Sequence, residues 1–327
     1  MSWPIIGHGW AVDILRHHIQ SGQLSHAYLF TGPEGVGKTT LGLTLAQALL
    51  CESEEKPCGQ CRACRHVAAG IHPDVRLVEP EGHLLRVEQV REVTREASRR
   101  PVEAPYRVFI LSHMERAHPA AANALLKTLE EPPAHVILIL TAPAEDAILP
   151  TLVSRCQVLH LRPVPQEELR DALVDRLDIP SERAELLARV SGGRPGMALR
   201  LAQDATYWEE RDQVFQLVDE LLENPSRWRR LQLAETWARL EEEQLVLRVK
   251  LLESGFRDIL MAQTGREDMI HHVDKRETIL AWSRRLPEAK VRRILNRALE
   301  TERYLRRPIN KRLLLDVLFL EIGGGDD

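Results

Sequence analysis

The sequence predicts an α/β domain followed by an all-α segment, and three observations carry that prediction. A short apolar stretch, His26 to Thr31, runs straight into the glycine-rich run Gly32-Pro33-Glu34-Gly35-Val36-Gly37-Lys38-Thr39, and a helical pattern follows it. Apolar strand-like runs then alternate with helix periodicity as far as Leu161, the arrangement of a doubly wound domain. From about Tyr207 onward only helical spacing remains, with no strand-like alternation. Pro163 and Pro165 mark the break, giving expected domains at 1–163, 164–206 and 207–327.

The first strand is His26–Thr31, and the helix after the loop spans Thr39–Leu50, with Leu41, Leu45, Ala48 and Leu49 on one side. Asp74–Val78 is the second strand, and Val87, Val90, Thr94 and Ala97 have helical spacing. Arg107–Leu111 is the third strand. Pro119 opens a helix where its missing N–H is harmless, and Pro132-Pro133 closes it. Val136–Thr141 is apolar throughout, as in a central parallel strand buried on both faces, and Gln157–Leu161 supplies a fifth strand. The expected core is therefore a five-stranded parallel sheet with helices on both faces. Residues 166–203 read as short helices interrupted at Ser191-Gly192-Gly193-Arg194-Pro195-Gly196. Trp208, Trp228, Trp237 and Trp282 are expected to fill helix–helix contacts. Arg292, Arg293, Arg297, Arg303, Arg306 and Arg307 give the last helices a basic face, read first as a solvated face and second as a DNA or partner contact. Gly323 to Asp327 reads as a frayed tail.

Composition narrows the function classes. The chain has 327 residues, enough for two or three cores, and its net charge of −4 gives no global field of the kind that marks a stand-alone nucleic-acid binder. No apolar run reaches membrane-span length, and Asp13 with its polar neighbours interrupts any secretory pattern, so the expectation is a cytoplasmic protein. Four of the five cysteines, Cys51, Cys58, Cys61 and Cys64, are spaced C-x6-C-x2-C-x2-C. In a reducing compartment such a cluster points to metal rather than disulfides, and four thiolates close a tetrahedral structural Zn²⁺ shell. Reduced thiols in a flexible insert are the alternative. Cys156 reads as a small core residue.

The glycine-rich run is an intact phosphate-binding loop. Gly32, Gly35 and Gly37 let backbone N–H groups close on phosphates, Lys38 reaches the β/γ-phosphates, Thr39 offers its hydroxyl to Mg²⁺, and Thr40 continues the first helical turn. Hydrolysis also needs acids at the end of a later strand, to hold the metal and orient water. The third strand ends instead in Ser112-His113. Glu115 lies beyond the strand end and is not expected to act as a base. Such a site is expected to hold or to mimic a nucleotide, ATP or ADP with Mg²⁺, without turning it over.

Three further stretches carry a resemblance: Asn123-Ala124-Leu125-Leu126-Lys127-Thr128-Leu129-Glu130-Glu131-Pro132-Pro133, Ser154-Arg155-Cys156, and Asn310-Lys311-Arg312-Leu313-Leu314-Leu315-Asp316. With the phosphate loop and the cysteine insert, they resemble the bacterial sliding-clamp loader of DNA polymerase III, within the AAA+ ATPases, over essentially the whole chain. The motor (gamma/tau) branch carries an Asp-Glu pair where Ser112 and His113 stand, so the chain is more similar to the non-motor delta-prime branch. The resemblance implies an AAA+ domain with a zinc knuckle, a small helical lid and a helical collar. It implies membership of the polymerase holoenzyme, with delta and gamma/tau subunits as partners in a hetero-pentamer, and the beta clamp and primer–template DNA met through the complex. It implies that Arg155 reaches a neighbouring motor subunit's ATP, that Arg194 matches the sensor-2 arginine, and that Thr141 lies near sensor 1. A guanidinium suits the trans role because it stays charged and grips phosphate oxygens in pairs. The delta-prime branch often has a degraded phosphate loop, whereas this one is intact. A motor subunit with an unusual strand end, or a zinc-stabilised DNA-repair ATPase, are the alternatives.

Overall fold

The computed structural model describes residues 3–223, 226–305, 307 and 309–323. Arg306 of the expected basic face and the tail from Gly324 to Asp327 lie outside the described residues. The chain forms two compact units, Met1–Ile179 with Gly193–Ala198, and Pro180–Gly192 with Leu199–Asp327.

In the first unit the order is α1 (Gly9–Ser21), β1 (Ala27–Thr31), α2 (Lys38–Leu50), α3 (Arg62–Ala68), β2 (Val75–Val78), α4 (Val87–Ala97), β3 (Arg107–Leu111), α5 (Pro119–Glu130), β4 (Val136–Ala142), α6 (Pro150–Val153), β5 (Gln157–His160) and α7 (Gln166–Leu177). The strands make one parallel sheet of order β2-β3-β4-β1-β5, with Leu29 beside Leu140 and Phe109 beside Leu138. Strand side chains alternate between faces, and the two faces bury different partners. Tyr28, Phe30, Ile110 and Ile139 pack under α1 and α2 through Leu15, Leu41 and Leu45. Ala27, Leu29, Phe109 and Leu140 pack under α4 and α5 through Val90, Val93 and Leu125. Each fully buried Leu, Ile or Phe contributes about 1.5–3 kcal/mol relative to exposure. Gly42 lets α2 close on the sheet: a Cβ there would lie 3.2 Å from Ile139 Cγ2. The α5 start follows its sequence signal, with Pro119 in the first turn and His118 Nδ1 accepting from the Ala120 N–H at 3.2 Å.

The expected strands and helices of the α/β domain are present to within a residue or two, and the fold class, α/β then all-α around a five-stranded parallel sheet, holds. Two short helices were not anticipated: α3, which starts inside the cysteine insert and runs past it, and α6, too brief for periodicity to reveal. Cys156 is half-buried against the α4/α5 side of the sheet, and burial pushes its thiol up to about 12.

The second unit contains α8 (Ser181–Val190), then, after α9 (Pro195–Gln203) enters it, α10 (Ala205–Glu223), α11 (Arg227–Ala238), α12 (Glu242–Gln263), α13 (Arg276–Arg285), α14 (Glu288–Leu305) and α15 (Lys311–Gly323). Its core gathers Phe215, Phe256, Trp282, Ile294 and Phe319. Trp282 is buried and donates to Asp219 Oδ1 at 2.6 Å, and Trp237 meets Phe319 edge to face at 4.9 Å. Trp208 stacks on the Arg183 guanidinium at 3.9 Å. Trp228 is a correction: it lies in the first turn of α11 and is 70% exposed, because Leu233, Ala234 and Trp237, further along, supply the face turned to the core. Three arginines of the basic face of α14 are matched by acids, in Arg292–Glu288, Arg293–Glu321 and Arg297–Glu300 ion pairs at 2.7–2.9 Å. Among the described residues no helix is long and apolar enough to cross a membrane.

Candidate nucleotide and metal sites

The phosphate loop joins β1 to α2 at the edge of the sheet where strands end. Gly32 has φ +142°, its N–H donates to the Ala142 and Pro143 carbonyls at 3.2 and 3.1 Å, and a Cβ there would sit 2.1 Å from the Leu161 carbonyl oxygen. Gly35 and Gly37 have φ +79° and +112°, so three left-handed glycines turn the loop. Two contacts that the sequence did not reveal brace it. His8 Nε2 donates to the Val36 carbonyl at 3.1 Å, and burial lowers the pKa of His8, favouring the neutral ring that makes this bond. The Gly196 N–H donates to the Gly35 carbonyl at 2.7 Å. Arg194 stands two residues before Gly196 in the chain. Lys38 Nζ turns back on the loop, donating to the Gly32 and Pro33 carbonyls at 2.6 and 2.9 Å. Burial lowers its pKa, while the charges of Glu115 and then Glu34 oppose that shift. Thr39 is half-buried and Thr40 exposed at the start of α2. Beside Gly32, Thr31 Oγ1 lies 2.8 Å from His160 Nδ1, and His160 Nε2 lies 3.0 Å from Glu145, in a cleft of about 510 Å³.

The end of β3 carries no carboxylate. Ser112 is fully buried and its N–H donates to the Val78 carbonyl at 2.9 Å. His113 has a left-handed φ of +56°, and its N–H donates to Thr141 Oγ1 at 3.1 Å, so the Thr141 hydroxyl already serves β3. His113 Nδ1 lies 3.1 Å from Glu115 Oε1. Glu115 stands on the 3₁₀ turn Met114–Arg116, beyond the strand end, and its Oε2 is buried without a hydrogen-bond partner.

Arg155 lies between α6 and β5, at the edge where strands begin. One strand of five residues separates that edge from the phosphate loop, about 16 Å at 3.3 Å per residue. Its guanidinium donates to the Thr151 carbonyl at 2.9 Å and to Glu130 Oε1 at 2.8 Å. Glu130 is the last residue of α5, inside the Asn123–Pro133 stretch.

The four cysteines converge, their sulfurs all within 4.8 Å of one another, with Cys51 and Cys61 4.0 Å apart. Tetrahedral Zn–S bonds of about 2.3 Å require sulfurs about 3.8 Å apart, so the set fits this ion. Backbone N–H groups of Gln60 and Cys61 point at Cys58 Sγ at 3.5 and 3.3 Å and lower its pKa to about 6. Burial instead raises the pKa of Cys51 and Cys64. The cluster is anchored to α2 by Gln47 Nε2, which donates to the Cys64 carbonyl at 2.9 Å. The four residues could hold a metal ion.

The strand order and the loop after β1 define a P-loop α/β protein with a helical C-terminal unit. Comparison with known proteins narrows this further. The family described as DNA polymerase III, delta subunit, matches residues 7–165, and its C-terminal counterpart matches 205–323. The DNA polymerase III subunit delta' of Bacillus subtilis is 30% identical over 317 residues, covering 96% of this chain and 95% of that protein. The Escherichia coli subunit delta' is 30% identical over 309 residues, 93% of this chain and 90% of that one. The E. coli subunit tau is 33% identical over 208 residues, 62% of this chain and 32% of tau. The chain belongs to the delta-prime family of DNA polymerase III subunits.

Proposed function

We propose that the chain works as the delta-prime, non-motor subunit of the complex that loads the sliding clamp on primed DNA for DNA polymerase III. The observation that carries this is the pairing of an intact phosphate loop with a strand ending in buried Ser112 and His113. The loop's N–H groups hold phosphates, Lys38 exchanges its two carbonyls for phosphate oxygens, and Thr39 meets the cation. Bound Mg²⁺ would neutralise phosphate charge there. No strand-end carboxylate holds the attacking water, so ATP or ADP stays bound and unhydrolysed.

In this reading Arg155 serves a neighbour's nucleotide, since its own loop lies at the other edge of the sheet. To do so it leaves Glu130, an exposed partner, at little cost. Arg194, close in sequence to the Gly196–Gly35 bond, faces the chain's own nucleotide. Cys51, Cys58, Cys61 and Cys64 hold one structural Zn²⁺ that fixes the insert on α2. The partners are delta and gamma/tau subunits in a hetero-pentamer, with the beta clamp and primer–template DNA engaged through that complex. Residues 1–163, 164–206 and 207–327 act as AAA+ domain, lid and collar.

Reconstitution tests the reading. The chain should co-elute with delta and motor subunits and be required for clamp loading. A ring that assembles and loads clamps equally well without it would refute the assignment.

A further inference from the structure

We propose that Glu115 supplies the carboxylate that faces the cation of a nucleotide on the Gly32–Lys38 loop, from the turn beyond β3 rather than from the strand end. The inference rests on the reading that this loop binds nucleotide.

The geometry has three parts. Glu115 Oε2 is shielded from water and has no donor, so an oxygen that needs a cation or a bound water is held ready. Glu115 Oε1 lies 3.1 Å from His113 Nδ1, and His113 is fixed in turn by its left-handed backbone and its bond to Thr141. Arg116 Nε approaches the same Oε1 at 3.8 Å, leaving Oε2 open. Independently, the Glu115 charge acts on Lys38 more strongly than that of Glu34, which belongs to the loop itself. The geometry agrees: the His113 N–H is bonded to Thr141 and the Gly32 N–H to the next residue, Ala142, so the turn that carries Glu115 and the phosphate loop lie side by side at the end of β4.

A carboxylate in that position has opposite effects with and without a divalent cation. It repels bare phosphates and attracts a cation bound to them. Outer partners of a metal site change metal affinity by about 10–100-fold. ATP binding by the full chain should thus be strongly Mg²⁺-dependent, and Glu115→Gln should shrink the ratio of affinities in MgCl₂ and in EDTA by about 10-fold or more. The loss in Mg²⁺ and the gain in EDTA should both contribute. Glu34→Gln removes a second charge that acts on Lys38, but from an exposed side chain screened by solvent, so it should change the Mg²⁺ ratio less than Glu115→Gln does.

Titration calorimetry with ATP, in MgCl₂ and in EDTA, on wild type, Glu115→Gln, Glu34→Gln and Lys38→Ala makes the test, with thermal melting to confirm folding. ATP binding by wild type that is absent in Lys38→Ala supports the underlying reading. Given that, an unchanged Mg²⁺ ratio in folded Glu115→Gln overturns the role of Glu115 alone. An equal effect from Glu34→Gln also overturns it. Failure of wild type to bind ATP in either condition overturns the reading and the proposal together. If Glu115→Gln does not fold, Glu115→Ala, which also removes the carboxylate, replaces it, and an undiminished Mg²⁺ ratio there refutes the proposal.

Discussion

Replacing Arg155 with Ala separates a trans role from a structural one, because the structure sets a low ceiling on its structural worth. Its side chain is 34% exposed and its partner Glu130 51% exposed, and the pair closes at 2.8 Å. Exposed ion pairs contribute about 0.2–1 kcal/mol. In a unit of this size, a loss at the upper limit lowers the melting temperature by about 2–4 °C. The variant should therefore fold and join the ring normally. An arginine that stabilises the charge on a departing phosphate is worth about 10³–10⁵ in rate at the site it serves, as measured in GTPases. Under the proposed trans role only the neighbouring site depends on Arg155, so total ATP hydrolysis should fall by that site's share, and clamp loading, which needs the whole cycle, should fall further. A Glu130→Ala variant frees the guanidinium without removing it, and should keep both rates at or above wild type. The assay is steady-state phosphate release and clamp loading by a ring reconstituted with each variant, in the presence of clamp and primed DNA. Unchanged rates with Arg155→Ala in a fully assembled ring would remove Arg155 from the mechanism. Equal losses with Glu130→Ala would mean that the pair matters as structure.

Other outcomes follow from the same geometry. Freshly purified protein should contain one Zn²⁺ per chain by elemental analysis, and a Cys64→Ser variant well under one. Stripping the metal should also alter Trp3 fluorescence, since buried Trp3 donates to the Lys56 carbonyl at 3.2 Å. The isolated chain should release phosphate from ATP negligibly, and robust turnover abolished by Lys38→Ala would refute the argument from Ser112 and His113. Stability should decline in mild acid. Burial holds His272 down to about 3, and lowers His8 and His72, relative to an unfolded value near 6.5. The unfolded chain takes up these protons first, so stability is complete above about pH 6.5. It is lost as pH falls toward the folded values, each histidine contributing up to about 1.4 kcal/mol per pH unit within its window. Urea denaturation at pH 7 and pH 5 measures this, and an equal midpoint at both would refute it.

The sequence by itself determined the sheet, the loop and the cysteine cluster. Each is written in local signals: apolar runs with a fixed period, glycines where the backbone turns left-handed, cysteines a few residues apart. Ser112 and His113 in place of two acids could be read in the same way, because strand register fixes which residue ends β3. Long-range contacts carry no such period, and only the tertiary structure supplied them. His8 and Gly196 brace the loop from 28 and 161 residues away. The pairing of Arg155 with Glu130 joins two stretches that the sequence shows only as separate motifs. The exposure of Trp228 depends on which face of α11 turns inward. Glu115 gives the clearest case. In sequence it is an acid past the end of a strand. The 3₁₀ turn and the His113 contact leave one of its oxygens buried and unpaired while its charge acts on Lys38, because folding brings the ends of β1 and β3 to the same edge of one sheet.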